Sequence, residues 1–320
     1  MRRILARIAR SVLPFFMPLL APVFRWVAYS GVGSEACLKN GFLPVPVHYY
    51  HPIPDLADLE RRGVWDRRSD LAGIDFRPVQ QVSLLKELGG KYGAECDWPP
   101  SPTSDPLAFH TENNSFSFGC AASLHTIIRN YKPARILEIG SGNSSKVISA
   151  ALRRNAAEGA PAEYTILDPY PSDLVRGLPA LSRLVAERVE LTEIDQFRAL
   201  GENDILFIDS GHTVRTGGDV NFLYLDVLPR LAPGVIIHVH DIPLPYEYPQ
   251  VYFTNPSFRV FWTEAYLLQA FLSLNPCFEI MLAMNYLTRE HWDAYRAAFP
   301  HLDPAVHKAT SGSFWMRRIT

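Results

Sequence analysis

Four strings between residues 137 and 241 set polar groups directly after short apolar runs. The first is Leu137-Glu138-Ile139-Gly140-Ser141-Gly142-Asn143-Ser144-Ser145. Its glycines permit a tight turn and a close backbone approach by a ligand, and a helix starting there offers free N–H groups. The second string ends at Asp168, whose carboxylate can accept hydrogen bonds from both ribose hydroxyls of an adenosine ligand. That ligand is either a nucleoside sulfonium or a dinucleotide. A dinucleotide fingerprint requires a third small residue, Gly or Ala, where Ser145 stands. Glu138 near a cationic end favours the sulfonium.

The third and fourth strings are Ile208-Asp209-Ser210-Gly211-His212 and Val235-Ile236-Ile237-His238-Val239-His240-Asp241. Asp209, His240 and Asp241 form a candidate metal-ligand set beside the cofactor, able to orient a hydroxyl and lower its pKa. A histidine in that set suits a softer metal, or no metal at all. His212, His240 and Asp241 are the candidate catalytic residues. His212 titrates near neutrality and is the expected base for an acceptor hydroxyl. His238 shares a strand face with His240 and is expected to be structural. Asp219 reads as a helix cap. Weaker candidates are Tyr246, Tyr248, Trp262, Glu264 and Tyr266 for an acceptor pocket, and Asn113, Asn114 and Ser115 for cofactor contact. Asp195 or Gln196 is placed after the third strand, near an adenine.

Such residues need a scaffold that brings strand ends together. Apolar stripes predict helices over Val79–Leu88 and Ala121–Tyr131, at Val147–Leu152, over Asp219–Leu231 and over Phe261–Leu274. Compact apolar runs predict strands at Ile136–Ile139, Tyr164–Leu167, Val189–Ile194, Ile205–Ile208 and Val235–Val239. Phe278–Met284 and Phe314–Arg317 close the sheet. The alternation implies an α/β fold with a doubly wound, mostly parallel sheet and helices on both faces. In such sheets ligands bind at the carboxyl ends of the strands.

With E-I-G-S-G, Asp168, Ile208-Asp209 and His240-Asp241 in this order, the chain resembles class I S-adenosylmethionine-dependent methyltransferases. In particular it resembles the bacterial group called methyltransferase family 24, over roughly residues 116–290. The resemblance implies a Rossmann-like sheet of seven strands, the last antiparallel. It also implies Glu138, Gly140, Ser141 and Gly142 at the methionine part of the cofactor, Asp168 at the ribose and Asp209 beside them. Metal-dependent O-methyltransferases are similar at Asp209, with their acid-amide pair falling on His240-Asp241. Their basic catalytic residue falls at His212. The implied reaction is O-methylation of a sugar, glycan or other small polar acceptor. The rivals are a nicotinamide-dependent oxidoreductase and a non-catalytic binding protein of the same fold.

The bulk numbers narrow the partners. A net charge of −2 over 320 residues implies no general attraction to nucleic acid. Cys37, Cys96, Cys120 and Cys277 stand apart with no C-x-x-C pair, which suits a reducing, cytoplasmic setting. Three regions are expected: a basic-apolar leader over 1–35, a Pro- and aromatic-rich extension over 36–115, and the main domain over 116–320. The leader holds Arg2, Arg3, Arg7, Arg10 and Arg25, with no acid before Glu35. Its apolar run, Ser11–Phe24, is shorter than a typical membrane span, and Pro14, Pro18 and Pro22 are expected to break a helix. Residues 1–30 therefore read as a peripheral membrane contact or as an irregular start.

Overall fold

The computed structural model describes residues 2–307 and 311–320, with side chains from residue 11 onward. The chain divides into two compact units, Met1–Val64 and Trp65–Thr320.

The first unit contains the helix Arg2–Ser30, which runs through Pro14, Pro18 and Pro22. The expected break does not occur. Each proline removes one N–H donor, but at a spacing of four all three losses fall along one side and leave the rest of the ladder intact. Ser11–Ser30 forms 20 helical residues, long and apolar enough by length and composition to cross a membrane. The apolar run is thus longer than the expected Ser11–Phe24, because Trp26, Val27 and Ala28 continue it past Arg25.

The second unit is built on a seven-stranded sheet in the order β3-β2-β1-β4-β5-β7-β6. Its strands are β1 (Arg135–Ile139), β2 (Glu163–Leu167), β3 (Arg183–Val185), β4 (Ile205–Ile208), β5 (Ile236–Val239), β6 (Phe278–Ala283) and β7 (Phe314–Arg318). The pairs from β3 through β5 are parallel. β7 runs antiparallel between β5 and β6. Every residue of β4 and β5 is buried, as a central strand covered on both faces requires.

The third strand is a correction. It lies at Arg183–Val185, whereas the expected run at Val189 forms a single 3₁₀ turn, Val189–Leu191. Only three residues pair, so an edge strand this short gives little periodicity to read. The predicted helix over 219–231 begins as Asp219–Phe222, passes through a π turn at Leu223–Val227 and ends in a 3₁₀ turn at Leu228–Arg230. Pro229 lies in that last turn. The apolar helix predicted from Phe261 is regular over Glu264–Leu272.

The division at Val64 differs from boundaries at 35 and 115, for a packing reason. The helix Pro78–Tyr92 buries Leu85 and Leu88 within the second unit. Gln81 on it accepts a hydrogen bond from the Ala283 N–H at 2.7 Å, at the end of β6. Gly89 lies so close to Ala298 that a Cβ would meet the Ala298 side chain at 2.4 Å.

Candidate functional site

The backbone lines up the chemistry. Past each of four adjacent strands, the next residue donates its N–H to the last residue of the neighbouring strand. Asp168 bonds the Val185 carbonyl at 3.1 Å, and Gly140 bonds that of Leu167 at 2.9 Å. Asp209 bonds Ile139, and His240 bonds Ile208, both at 2.9 Å. Asp168, Gly140, Asp209 and His240 therefore stand in one row along the carboxyl edge of the sheet, as the strand order demands.

Gly140 has φ +80°, and a Cβ there would lie 2.1 Å from the Asp209 carbonyl oxygen. Only glycine lets the first loop cross the end of β4 this closely. The loop then enters the helix Asn143–Ala157. Ser145 serves it twice: its hydroxyl oxygen accepts from the Gly142 N–H at 3.0 Å, and its O–H donates to Glu138 at 2.9 Å. Glu138 is fully buried and also accepts from the hydroxyls of Ser144, at 2.6 Å, and Tyr164. Burial pushes its carboxyl up to about 7 against the pull of those donors. Glu138 thus braces the loop from behind and does not line the cleft, unlike the direct contact expected of it.

A cleft of about 660 Å³ opens along the row, lined by Gly140, Asp168, Glu190, Asp209, Ser210 and Asp219 among others. That size lies within the range of small-molecule sites. The Asp168 carboxylate accepts from the Ser141 hydroxyl and from the Tyr170 N–H at 2.8 Å. Asp219 follows Gly218 at the helix start and makes no cap. Instead it accepts from the Gly211 N–H at 2.6 Å, pinning the turn before His212. Its other oxygen, and the Ser210 hydroxyl, are buried without a hydrogen-bond partner. Both residues line the cleft, and Arg215 stands 4.0 Å from that Asp219 oxygen as an ion-pair partner.

A second cavity, of about 450 Å³, lies beyond β5 and is lined by Glu112, Asn113, Ser115, His240, Asp241 and Tyr252 among others. Asn143, directly after the glycines, donates to Asn113 at 3.1 Å and to Ser115 at 3.0 Å. The loop before the helix Phe118–Tyr131 is thereby fixed to the glycine loop.

His212 sits among carboxylates. Its Nδ1 is 2.8 Å from buried Glu264, and its Nε2 is 3.3 Å from Asp209 and 3.8 Å from Asp241. Burial opposes a charge on the ring, but the hydrogen bonds to Asp209 and Glu264 prevail and raise its pKa well above 6.5. Trp262 covers the ring at 4.5 Å between centroids. His212 and Asp241 both hold left-handed backbone angles, φ +53° and +54°. Such strain persists only where surrounding contacts enforce it. With a carboxyl group beside each nitrogen, the charged ring of His212 is favoured over the neutral ring expected of a base, although burial also pushes the Glu264 carboxyl up.

His240 is differently placed. It is buried, packs against Phe116 at 5.0 Å, and has Nε2 3.7 Å from Asp241. Burial lowers its pKa, while the Asp209 and Asp241 carboxylates raise it to a net position above 6.5. The reverse influence holds Asp209 at about 2: burial raises that carboxyl, and the charges of His240 and His212 lower it further. His238 is buried with Nε2 2.9 Å from the Ser313 hydroxyl, and burial drives its pKa well below 6.5.

The expected metal set is not formed. Among the described residues no group of three or more His, Cys, Asp or Glu side chains is arranged to hold a metal ion. His212 directs Nε2 toward oxygens of both Asp209 and Asp241, placing a proton-borne cation where a metal would share those carboxylates.

The aromatic candidates fall outside both cavities. Tyr246 donates to Glu290, Tyr266 donates to Glu247, and Tyr248 accepts from the Ala265 N–H. Asp195 opens the short helix Asp195–Arg198 with its side chain 82% exposed, away from the cleft. Sequence reasoning missed Glu190, which the displaced third strand hid, and Tyr252, which lies on the short helix Gln250–Thr254. It also missed the pairing of His212 with Glu264 across 52 positions.

The chain is similar to a known family and to two known proteins. A family model described as a methyltransferase domain matches residues 137–242. An uncharacterised protein of Archaeoglobus fulgidus is 31% identical over 181 residues, covering 54% of this chain and 80% of that one. Among solved structures, loganic acid methyltransferase with SAH matches at 12% identity and a TM-score of 0.30, covering 69% of this chain and 99% of that chain.

Proposed function

Because the chain belongs to the class I S-adenosylmethionine-dependent methyltransferases, we propose that it methylates a hydroxyl of a sugar or another small polar acceptor. The observation that carries this reading is the row Asp168, Gly140, Asp209 and His240, with a cavity on either side of its polar end. Asp168 takes the ribose hydroxyls. Gly140, Ser141 and Gly142 present backbone to the methionine portion, and Asp209 supplies negative charge opposite the sulfonium. Bound there, S-adenosylmethionine supplies an electrophilic methyl group.

The acceptor occupies the second cavity, whose carboxylates, amides and hydroxyls suit a polyhydroxylated ring. His240 takes the proton from the acceptor hydroxyl, and Asp241 beside it stabilises the resulting charge. His212, fixed by Glu264, holds the Asp209 and Asp241 carboxylates in place. In-line placement is the main demand of a displacement at carbon, and these groups sit on rigid strand ends.

A cytoplasmic location with peripheral membrane contact through residues 1–30 belongs to the same reading. All four cysteines are free thiols, and the helix Ser11–Ser30 exposes its apolar residues. The test is calorimetry with S-adenosylmethionine, S-adenosylhomocysteine and NAD, followed by transfer of labelled methyl groups to a panel of sugars. Micromolar binding of the first two, about −8 kcal/mol, and labelling of a hydroxylated acceptor are expected. Binding of NAD alone sinks the proposal.

A further inference from the structure

We infer that the N-terminal helix lies in the plane of an anionic membrane surface, with its arginine and proline side toward the headgroups, and does not cross the bilayer. This sharpens the membrane contact proposed above and does not depend on the methyl-transfer chemistry.

The first observation is periodicity. Arg3, Arg7, Arg10, Pro14, Pro18, Pro22, Arg25 and Tyr29 follow one another at steps of three and four. In a helix that step keeps one side. The Arg25 guanidinium stands 5.8 Å over the Tyr29 ring, as two residues on one side should. The opposite side carries Val12, Phe16, Leu19, Leu20 and Val23, all exposed, with Leu19 at 73%. None of the Ser11–Ser30 window is buried.

The second observation is the backbone. Because prolines lack an N–H, the carbonyls of Arg10, Pro14 and Pro18 lose the donors four residues on. These carbonyls stack along the arginine side. In a lone spanning helix they would face hydrocarbon with no partner, which is costly. At the interface they meet water and headgroups. The third observation is charge. Five arginines and no acid precede Glu35, which complements a surface of anionic lipid. Trp26, 57% exposed, is the residue type that settles at such a boundary.

The experiment is sedimentation of the full chain with vesicles of phosphatidylcholine, with and without phosphatidylglycerol, at low and high salt. Phe16→Lys and Pro18→Lys are compared with the unmodified protein. Capture by the anionic vesicles and release by salt are expected. Phe16→Lys should weaken capture by about tenfold or more, since it removes an exposed ring from the side that would enter the lipid and places a charge there. Pro18→Lys should hold capture or strengthen it up to about fivefold, since it adds a cation to the headgroup side. A spanning helix would lose insertion with either lysine and resist salt, which overturns the inference. Equal capture by neutral vesicles overturns the anionic surface, and self-association without capture assigns the face to a second copy. S-Adenosylhomocysteine binding on the same variants tests the methyltransferase reading separately and should not change.

Discussion

Replacing Asp168 by alanine should weaken S-adenosylhomocysteine binding by about two orders of magnitude. The carboxylate stands at the end of β2, where it can accept two ribose O–H bonds. Hydrogen bonds to a charged group are worth about 1.5–3 kcal/mol each. The lower end applies, because Asp168 is only half-buried and already accepts from the Ser141 hydroxyl and the Tyr170 N–H. Two such bonds total about 3 kcal/mol, or about 150-fold in Kd. Asp168→Asn keeps one acceptor oxygen and should cost about tenfold. The assay is titration calorimetry on protein whose unfolding transition is unchanged, apart from the loss of about 1 kcal/mol expected when the Tyr170 N–H loses its partner. Asp195→Ala is the control, since that side chain is solvent-facing and pairs with Arg198; it should bind as the parent does. A Kd for Asp168→Ala within threefold of the parent would refute the assignment of this strand end to the ribose.

Gly140→Ala should destabilise the fold by about 2–5 kcal/mol in urea, from the left-handed backbone and the 2.1 Å approach to the Asp209 carbonyl; a loss under about 1 kcal/mol would show that the loop can move aside. Glu138 is held at about 7 in the folded protein against about 4.3 in an unfolded chain. The folded state therefore keeps a proton that the unfolded state releases, so this residue's contribution is full below the unfolded value and fades as pH rises to about 7. Glu138→Gln should flatten that slope in stability measured across pH 4 to 8, roughly, and an unchanged slope would place its origin elsewhere. Glu264→Gln removes the buried partner of His212 and should cost about 3–5 kcal/mol, read by chemical denaturation; a loss below about 1 kcal/mol would mean that the pair is not charged. Methyl transfer should rise with pH above 6.5 as His240 loses its proton, and His240→Ala should abolish that limb of the profile.

The parts of this protein legible in its sequence are those fixed by local periodicity. β4 is wholly apolar, and β1, β2 and β5 are largely so, broken by Glu138, Thr165 and His238, because both faces of a central strand are covered; the runs of β2, β4 and β5 stop at the polar residue that turns into the site, and that of β1 at Gly140. Asp168, Asp209 and His240 were therefore recognisable by position before any distance was known. β3 was misplaced because three edge residues, Arg183–Val185, bury too little to leave a pattern, while Val189 and Leu191 resemble a strand and form a turn. The N-terminal prolines misled for a related reason: a rule for one proline in a helix does not carry over to three that share a side.

The function of His212 was hidden in a different way. A histidine three residues after an aspartate at a strand end reads as a base whenever its far nitrogen is taken to be free. That nitrogen's neighbour, Glu264, stands at the start of an otherwise apolar helix 52 positions away, and nothing local marks it as an ion-pair partner. Once both nitrogens face carboxylates, the imidazolium is favoured, and in the proposed mechanism the proton-accepting role passes to His240, whose charged form is supported by Asp209 and by Asp241 at 3.7 Å. In the proposed mechanism two histidines at neighbouring strand ends thus divide the work by environment: His212 has its charged form favoured among the carboxyl groups of Asp209, Asp241 and Glu264, and His240 lines the second cavity, where the acceptor is proposed to bind.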